Sequence, residues 1–300
     1  MGAVSRSEHS AHSPWASAVG TRPARLAWSS KKGTSTVLEQ HDFTKPWAHR
    51  RKLVYIGSSI AALLITVIPL LMVGLGYWPM EPTGFIVAAA ICVPIIAPMV
   101  AAWWDGPGEN RTTLEKANEF MIVWFPITAA SQIFWELPWL VGDAFGKMNL
   151  TEADHWGFVW YFYGVADTRY LHSDPALFGM ETVAVIGGIT MIIQSPRLLR
   201  AGHNVAKRIN ALWWSFFAMS LMLAVLTIYY VAEIRAGFVN IEQGSWGFGL
   251  KFIFMNIPWA VAPMVSLPFV VKQLAYLYRT TGAQTAVNAA AESGKLVGTT

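Results

Sequence analysis

The chain has 300 residues, of which 54% are hydrophobic and only 13% are charged, and its net charge is +4. This composition is too apolar for an ordinary soluble domain, in which about 25% of the residues are charged. The basic residues lie mainly in the tails and at the ends of apolar blocks, a distribution typical of a membrane protein and not of nucleic-acid binding. The single cysteine, Cys92, excludes an intramolecular disulfide and a cysteine metal cluster.

Residues 1–48 are rich in Ser, Ala, His and Thr without a sustained apolar period, which predicts a disordered tail. Six apolar blocks follow, each close to the roughly 20 residues that a helix needs to cross a bilayer. The predicted spans cover residues 53–78, 82–104, 120–141, 176–194, 209–231 and 252–271. The sequence therefore predicts an all-α, polytopic membrane helix bundle with a first transmembrane segment at 49–80, a main membrane domain at 81–279 and a second tail at 280–300.

Six spans place both termini on one side of the membrane, and the basic residues indicate which side. The ends and connections on the side of the termini hold Arg50, Arg51, Lys52, Arg111, Lys116, Arg197, Arg200, Lys207, Arg208, Lys272 and Arg279. The opposite connections hold Lys147, Arg169, Arg235 and Lys251. The positive-inside rule therefore predicts cytoplasmic termini, in the endoplasmic reticulum of a eukaryote or the inner membrane of a bacterium.

The connection at 142–175 is long for a helix bundle and is rich in aromatic residues between 156 and 163. One interpretation is an aromatic anchor in the membrane interface, and the other is a lid over a site that opens to lipid. The residue pattern alone favours the anchor.

The third span carries polar side chains at membrane depth. Gln132 and Glu136 are four residues apart and share a helix face, with Trp135 and Trp139 close by. An ionisable group at this depth is costly and usually faces a cavity or a partner, so Glu136 is predicted to be functional. The alternative is a carboxylic acid hydrogen-bonded to a neighbouring helix.

The last three spans carry further polar residues. Glu181 places a second carboxyl one or two turns inside the fourth span. Early in the sixth span, Asn256 and Trp259 share a face next to a proline that frees a backbone carbonyl. This pattern fits a kinked polar pocket and a simple interhelical contact equally well. Tyr229 and Glu233, near the end of the fifth span, would close the same pocket, although a Glu233 side chain that extends to the interface is the simpler interpretation.

Two carboxyls, an amide pair and several indoles in an apolar bundle suit proton transfer to and from an apolar substrate. No histidine lies inside a predicted span, since His155, His172 and His203 all fall in connections. A histidine-bound iron site therefore has too few ligands, and neither a metal nor a cofactor is predicted.

Four short motifs resemble a known family. The stretch YGVADTRY at 163–170, followed by Met-Glu-Thr at 180–182, is similar to the Y-x-x-x-D-S-R-Y … M-E-T signature of emopamil-binding proteins. The stretches EIRAGF at 233–238 and FMNIPW at 254–259 also resemble this family, which comprises the sterol Δ8-Δ7 isomerases and their relatives in the EXPERA superfamily. The order and spacing of the motifs agree across roughly residues 119–279, and an ordered set is fairly specific.

The resemblance implies a five-helix EXPERA-like core at 81–279, preceded by one extra helix. It implies an isomerase that protonates a ring alkene, stabilises a tertiary carbocation by acidic groups and an indole, and removes a neighbouring proton. Matched to the family's motifs, the catalytic residues are Glu136, Glu181, Asn256 and Trp259. The residues expected to bind the substrate are Gln132, Trp135, Tyr229 and Ala184.

The chain departs from the family at two of these positions. Gln132 stands where the sterol isomerases have a histidine implicated in proton transfer, and Ala184 stands where they have threonine. Because an amide does not titrate near neutral pH, a proton shuttle through residue 132 is lost.

Three functions compete. The leading hypothesis is an isomerase that acts on a sterol or another polycyclic terpenoid lipid, with the membrane and this lipid as its partners and a homodimer as a further expectation. The second is a non-catalytic sterol-binding or lipid-trafficking protein, which Gln132 favours and the two glutamates with Trp259 oppose. The third, an ion-coupled transporter, is weakest because the sequence shows neither a repeat nor paired broken helices.

Overall fold

The computed structural model describes residues 40–297, and the predicted tail before residue 40 lies outside the described residues. Within this part of the chain the secondary structure is helical. Six helices are long and apolar enough to cross a membrane, namely His49–Gly74, Met80–Trp103, Thr113–Ala144, Pro175–Ala201, Val205–Ala236 and Ser245–Ala286. The predicted all-α bundle of six membrane helices is confirmed, and the chain is a multi-pass membrane protein.

The first two spans are α1 (His49–Gly74) and α2 (Met80–Trp103). The third begins as α3 (Thr113–Ser131), passes through a π turn at Gln132–Glu136 and ends as α4 (Leu137–Ala144). A short helix, α5 (Phe158–Ala166), lies in the long connection before α6 (Pro175–Ala201) and α7 (Val205–Ala236). The last span begins with a π segment at Ser245–Ile253 and a 3-10 turn at Phe254–Asn256, then continues as α8 (Ile257–Val297).

Side-chain caps extend several spans beyond their apolar blocks. The Thr112 hydroxyl accepts from the Glu115 backbone N–H while the Glu115 carboxylate accepts from the Thr112 N–H, a capping box that starts α3 before the predicted residue 120. At the starts of α6 and α7, the side chains of Asp174 and Asn204 each accept from the backbone N–H three residues later. At the other end of the chain, α8 runs through most of the predicted tail at 280–300.

The core lies between α3, α6, α7 and α8. Helices α3 and α6 are antiparallel, since the Ser195 hydroxyl donates to the Ile122 carbonyl at one level while Gly188 lies against Gln132 and Ala129 at another. The approach at Gly188 is close enough that a Cβ there would lie 2.5 Å from the Gln132 Cβ. This spacing decides which side chains of α3 meet those of α6.

Helix α1 packs mainly against α2 and exposes most of its large apolar side chains, as expected for a surface that faces lipid. One end of α1 is fixed by a buried group of ion pairs, the charge clamp, which consists of Arg51, Glu109, Arg111 and Glu119. Arg51 Nε lies 2.8 Å from Glu119 Oε1, and Arg111 bonds the other oxygen of Glu119 at 2.7 Å. The clamp therefore ties the first span to the start of α3.

Residues 41–47, which the sequence analysis assigned to the tail, contact the bundle at the same end. The His41 backbone N–H donates to the Tyr276 hydroxyl at 3.3 Å, and the Phe43 ring lies under the Arg208 guanidinium at 5.0 Å. This segment therefore joins the start of α7 to the middle of α8.

Candidate active site

A π turn positions the two polar side chains of the third span. Residues Gln132–Glu136 form this turn just before Pro138, which has no N–H to bond the carbonyl of Phe134. A proline two residues beyond the turn is thus a local reason for the break in the α-helical ladder, and such turns occur frequently at functional sites. Gln132 is buried, and Oε2 of Glu136 is buried without a hydrogen-bond partner among the described residues.

The structure brings the two predicted carboxyls together. Glu136 at the end of the π turn and Glu181 in α6 lie within hydrogen-bonding reach of each other. Glu181 is only 7% exposed, so water has little access to its carboxyl. The pair forms because the close packing of α3 against α6 aligns two acidic residues that are far apart in sequence.

Tyr170 is a third member of this site. Its hydroxyl donates to Glu181 Oε1, while its backbone carbonyl accepts from the Trp139 indole N–H at 3.0 Å. The two rings also pack edge to face, with centroids 5.2 Å apart. Burial and the nearby carboxyls of Glu181 and Glu136 raise the pKa of the Tyr170 phenol well above its usual range, so the hydroxyl keeps its proton and remains a donor.

Asn256 and Tyr229 are joined to the site by hydroxyl groups. The Asn256 amide donates to the Tyr163 hydroxyl at 3.0 Å, and the Tyr163 and Tyr229 hydroxyls are 3.5 Å apart. Tyr229 in turn donates to Asp167 at 2.7 Å. Tyr163 packs against Tyr170 with ring centroids 5.1 Å apart, so Asn256 meets the surroundings of Glu181 through two phenol rings.

A buried ion pair fixes the long connection over this site. Arg169 bonds Asp167 at 2.9 and 2.6 Å and Glu233 at 3.0 Å. Glu233 is 1% exposed and also accepts from the Asn240 amide, so the expectation that its side chain extends to the interface is wrong. The reason is tertiary: the connection places an arginine beside a carboxylate that an isolated helix would have to expose.

The long connection therefore supplies side chains to the site. Besides Tyr163 and Tyr170, it contributes Trp160, whose indole N–H donates to the Trp135 carbonyl at 3.0 Å. The Trp135 ring packs edge to face on Tyr163 at 5.7 Å. Neither tyrosine was among the predicted site residues, although both lie in the motif at 163–170 that carried the resemblance.

Trp259 lies farther along the bundle. Its ring packs on Trp124 of α3 at 4.8 Å, three turns of helix before Glu136. It also lines an apolar pocket of about 370 Å³ between α2, α3 and the start of α8, together with Cys92 and Phe120. Among the described residues, the lining of this pocket includes neither glutamate of the pair. The expected set thus divides into the carboxyl pair and a neighbouring indole pocket.

The remaining predicted residues line the helix contact between these two regions. Gln132 is 4% exposed, packs on Gly188 and leaves its Oε1 without a described partner. Ala184 is buried in the core one turn after Glu181. Within the described part of the chain, the histidines, cysteines and acidic residues form no group that could hold a metal ion.

The chain is similar in sequence to sterol isomerases from plants and animals. A probable 3-beta-hydroxysteroid-Delta(8),Delta(7)-isomerase of Oryza sativa subsp. japonica is 26% identical over 180 residues, 58% of this chain and 78% of the relative. The 3-beta-hydroxysteroid-Delta(8),Delta(7)-isomerase of Cavia porcellus is 24% identical over 197 residues, 65% and 82% of the two chains. A protoglabretal synthase of Ailanthus altissima is 25% identical over 165 residues, 53% and 69%.

No protein-family profile and no solved structure matches the chain. The names of the relatives agree with the resemblance that the four motifs predicted, and that resemblance is confirmed.

Proposed function

Because the chain is a distant homologue of the sterol isomerases of the emopamil-binding family, we propose that it is an intramembrane isomerase that shifts a ring double bond in a sterol or a polycyclic terpenoid lipid. The observation that carries the proposal is the pair of Glu136 and Glu181 within hydrogen-bonding reach of each other, in which Glu181 and the Glu136 Oε2 atom are buried. Two carboxyls so close and so dry favour sharing one proton, which supplies an acid and a base side by side.

The surroundings of the pair favour one assignment of roles. The Tyr170 hydroxyl donates to Glu181, and such a bond stabilises a carboxylate. Glu136 Oε2 lacks a described partner in a buried position, which favours the neutral acid. Glu136 is therefore the proton donor and Glu181 the acceptor in the forward direction.

The reaction then balances without a cofactor. The Glu136 O–H gives its proton to one alkene carbon, and the π electrons form the new C–H bond. The other alkene carbon becomes a tertiary cation, next to the negative charge of the pair. Glu181 removes a proton from the adjacent carbon, and the electrons of that C–H bond form the new double bond. After the product leaves, Glu181 releases this proton to water and Glu136 takes one up from water, which restores the starting state.

Other residues support these steps. Asn256 holds the Tyr163 hydroxyl, and Tyr163 packs on Tyr170, so the amide acts on the pair as a positioning residue. Trp259 offers an indole face to the apolar body of the substrate at the pocket. Trp135 packs on Tyr163 and the Tyr229 hydroxyl lies near that of Tyr163, so both act on the pair indirectly, while Ala184 is buried in the core one turn after Glu181.

A lipid-binding or trafficking protein is the second candidate, and one residue favours it. Gln132 is an amide at the position where the sterol isomerases have a histidine, so this side chain cannot relay a proton. In that case the protein would bind a sterol and leave its double bond unchanged.

One experiment separates the two candidates. Purified protein in lipid is incubated with a Δ8-sterol in heavy water, and the wild type is expected to release a Δ7-sterol that contains deuterium. Glu136→Gln and Glu181→Gln should each abolish turnover while the sterol still binds, since the amide keeps the shape of the acid and loses its proton. Glu81→Gln, at an exposed position in the first turn of α2, is the matched control. Full activity in both glutamine variants would contradict the isomerase proposal. Wild-type binding of the sterol without deuterium in the product would contradict it as well and would favour the lipid-binding protein.

A further inference from the structure

Four side chains at steps of four residues along the third span each hold a buried polar atom without a partner among the described residues. We call them the polar column, and the atoms are Trp124 Nε1, Thr128 Oγ1, Gln132 Oε1 and Glu136 Oε2. The first three residues are 1%, 1% and 4% exposed. Since residues four apart lie on one helix face, the column points into the bundle along a single line.

Unpartnered polar atoms are unfavourable at membrane depth, because lipid tails offer no hydrogen bonds. Other threonines of the spans avoid this cost: Thr182, Thr190 and Thr227 each donate to the carbonyl four residues earlier, at 2.8, 2.8 and 2.7 Å. Thr128 makes no such bond within the described residues. Its hydroxyl and the Gln132 amide oxygen are therefore free to bond a group that enters the bundle.

On the opposite side of the carboxyl pair, the phenol hydroxyls already form hydrogen bonds. The Tyr170 hydroxyl donates to Glu181, and the Tyr163 hydroxyl accepts from Asn256 and lies near Tyr229. A polar group on the substrate would have to displace one of these bonds to bind there. The free hydrogen-bonding capacity near Glu136 thus lies toward the N-terminal end of α3.

We propose that Thr128 and Gln132 bind the hydroxyl group of a polycyclic alcohol, which donates to Gln132 Oε1 and accepts from the Thr128 hydroxyl. The inference rests on the proposed function and specifies how its substrate lies. At 1.5 Å per residue, Gln132 and Thr128 are about 6 and 12 Å from Glu136 along the helix. The substrate is therefore an alcohol whose oxygen lies roughly 6–12 Å from its ring double bond, with its polar end toward the start of α3.

The test compares two ligands that differ by one oxygen, a Δ8-sterol and its 3-deoxy analogue, in equilibrium binding to the purified protein in lipid. The wild type should bind the alcohol about tenfold more tightly, the typical effect of one or two hydrogen bonds in a dry site. Thr128→Val and Gln132→Met should each reduce this preference severalfold and leave the affinity for the deoxy analogue unchanged. Thr227→Val, which removes an exposed hydroxyl of α7, should keep the full preference.

Two results would overturn the inference: a wild type that binds both ligands equally, or variants that lose affinity for both ligands alike. The wild-type comparison requires no variant, so it tests the inference even if a substitution prevents folding. Turnover is measured separately in heavy water. If the protein prefers the alcohol but moves no double bond, the hydroxyl site stands and the isomerase proposal fails. If it binds both ligands equally and still turns over the sterol, the isomerase proposal stands and the hydroxyl site fails.

Discussion

The Tyr170 hydroxyl distinguishes two carboxyls that burial alone would leave alike. Glu136 lies in the third span and Glu181 in the fourth, and their carboxyls are neighbours. Only Glu181 accepts a hydrogen bond from this phenol. Trp139 holds Tyr170 from the other side through its carbonyl and its ring. One fixed donor thereby favours the negative charge on Glu181 and the proton on Glu136.

Tyr170→Phe tests this role, because it keeps the ring on Trp139 and removes the donor. A hydrogen bond to a charged group contributes roughly 1.5–3 kcal/mol, so kcat should fall about tenfold or more while the Kd for sterol changes little. Both quantities are measured on the purified variant, with Tyr77→Phe as the control at a position that is 71% exposed. An unchanged kcat would mean that the phenol ring only packs.

Side chains of this kind mark the limit of the sequence analysis. Glu136 and Glu181 could be singled out because a carboxyl at membrane depth is rare in any context. Tyr170 and Thr128 could not, since a tyrosine near the interface and a threonine in a membrane helix are both ordinary. Their importance depends on partners from other helices, which a single sequence does not specify.

At the scale of the helices, regular segments were predictable and irregular ones were not. The six apolar blocks coincide with six spans because length and hydropathy are local properties. The π turn at Gln132–Glu136 and the π and 3-10 segments before α8 interrupt the regular period, and neither length nor hydropathy marks where they occur. The predicted start of the last span at residue 252 consequently falls inside an irregular segment.

The contact between α3 and α6 depends on one small residue. Gly188→Ala would place a Cβ 2.5 Å from the Gln132 Cβ, so the helices must separate or Gln132 must move. Overpacking of this kind typically lowers the free energy of unfolding by about 1–3 kcal/mol.

Denaturation in a detergent series would measure this loss, and sterol binding should weaken with it because Gln132 is displaced. The control is Gly179→Ala in the same helix, where an added Cβ meets no atom within 4 Å. Equal stability of the two variants would show that the helices are not held at this contact.

At the scale of the whole molecule, charge organises one end of the bundle. The charge clamp joins α1 to the start of α3, and the side chains of Arg51, Arg111 and Glu119 are buried although they lie near the ends of their spans. This end is also where most of the basic residues gather. The positive-inside rule assigns it to the cytoplasm, and we propose this orientation for the protein.

Labelling of single introduced cysteines in a Cys92→Ser background would test the orientation. A cysteine near Thr300 should react with a charged, impermeant thiol reagent only from the cytoplasmic side, and one near Glu152 only from the opposite side. Permeabilised membranes provide the control, since both sites should then react. Labelling of both positions from the same side would contradict a chain with six spans and cytoplasmic ends.

The unsubstituted chain has a use beyond orientation, because its Cys92 thiol lies in the wall of the indole pocket. Cys92 is the chain's single cysteine, so a thiol-reactive solvatochromic dye would couple at this position alone. The emission wavelength of the dye would report the polarity of the pocket. A lipid that binds beside Trp259 should shift this wavelength, and the sequence would carry no substitution. Cys92 is thus a natural labelling site from which ligand binding at this pocket can be measured by fluorescence.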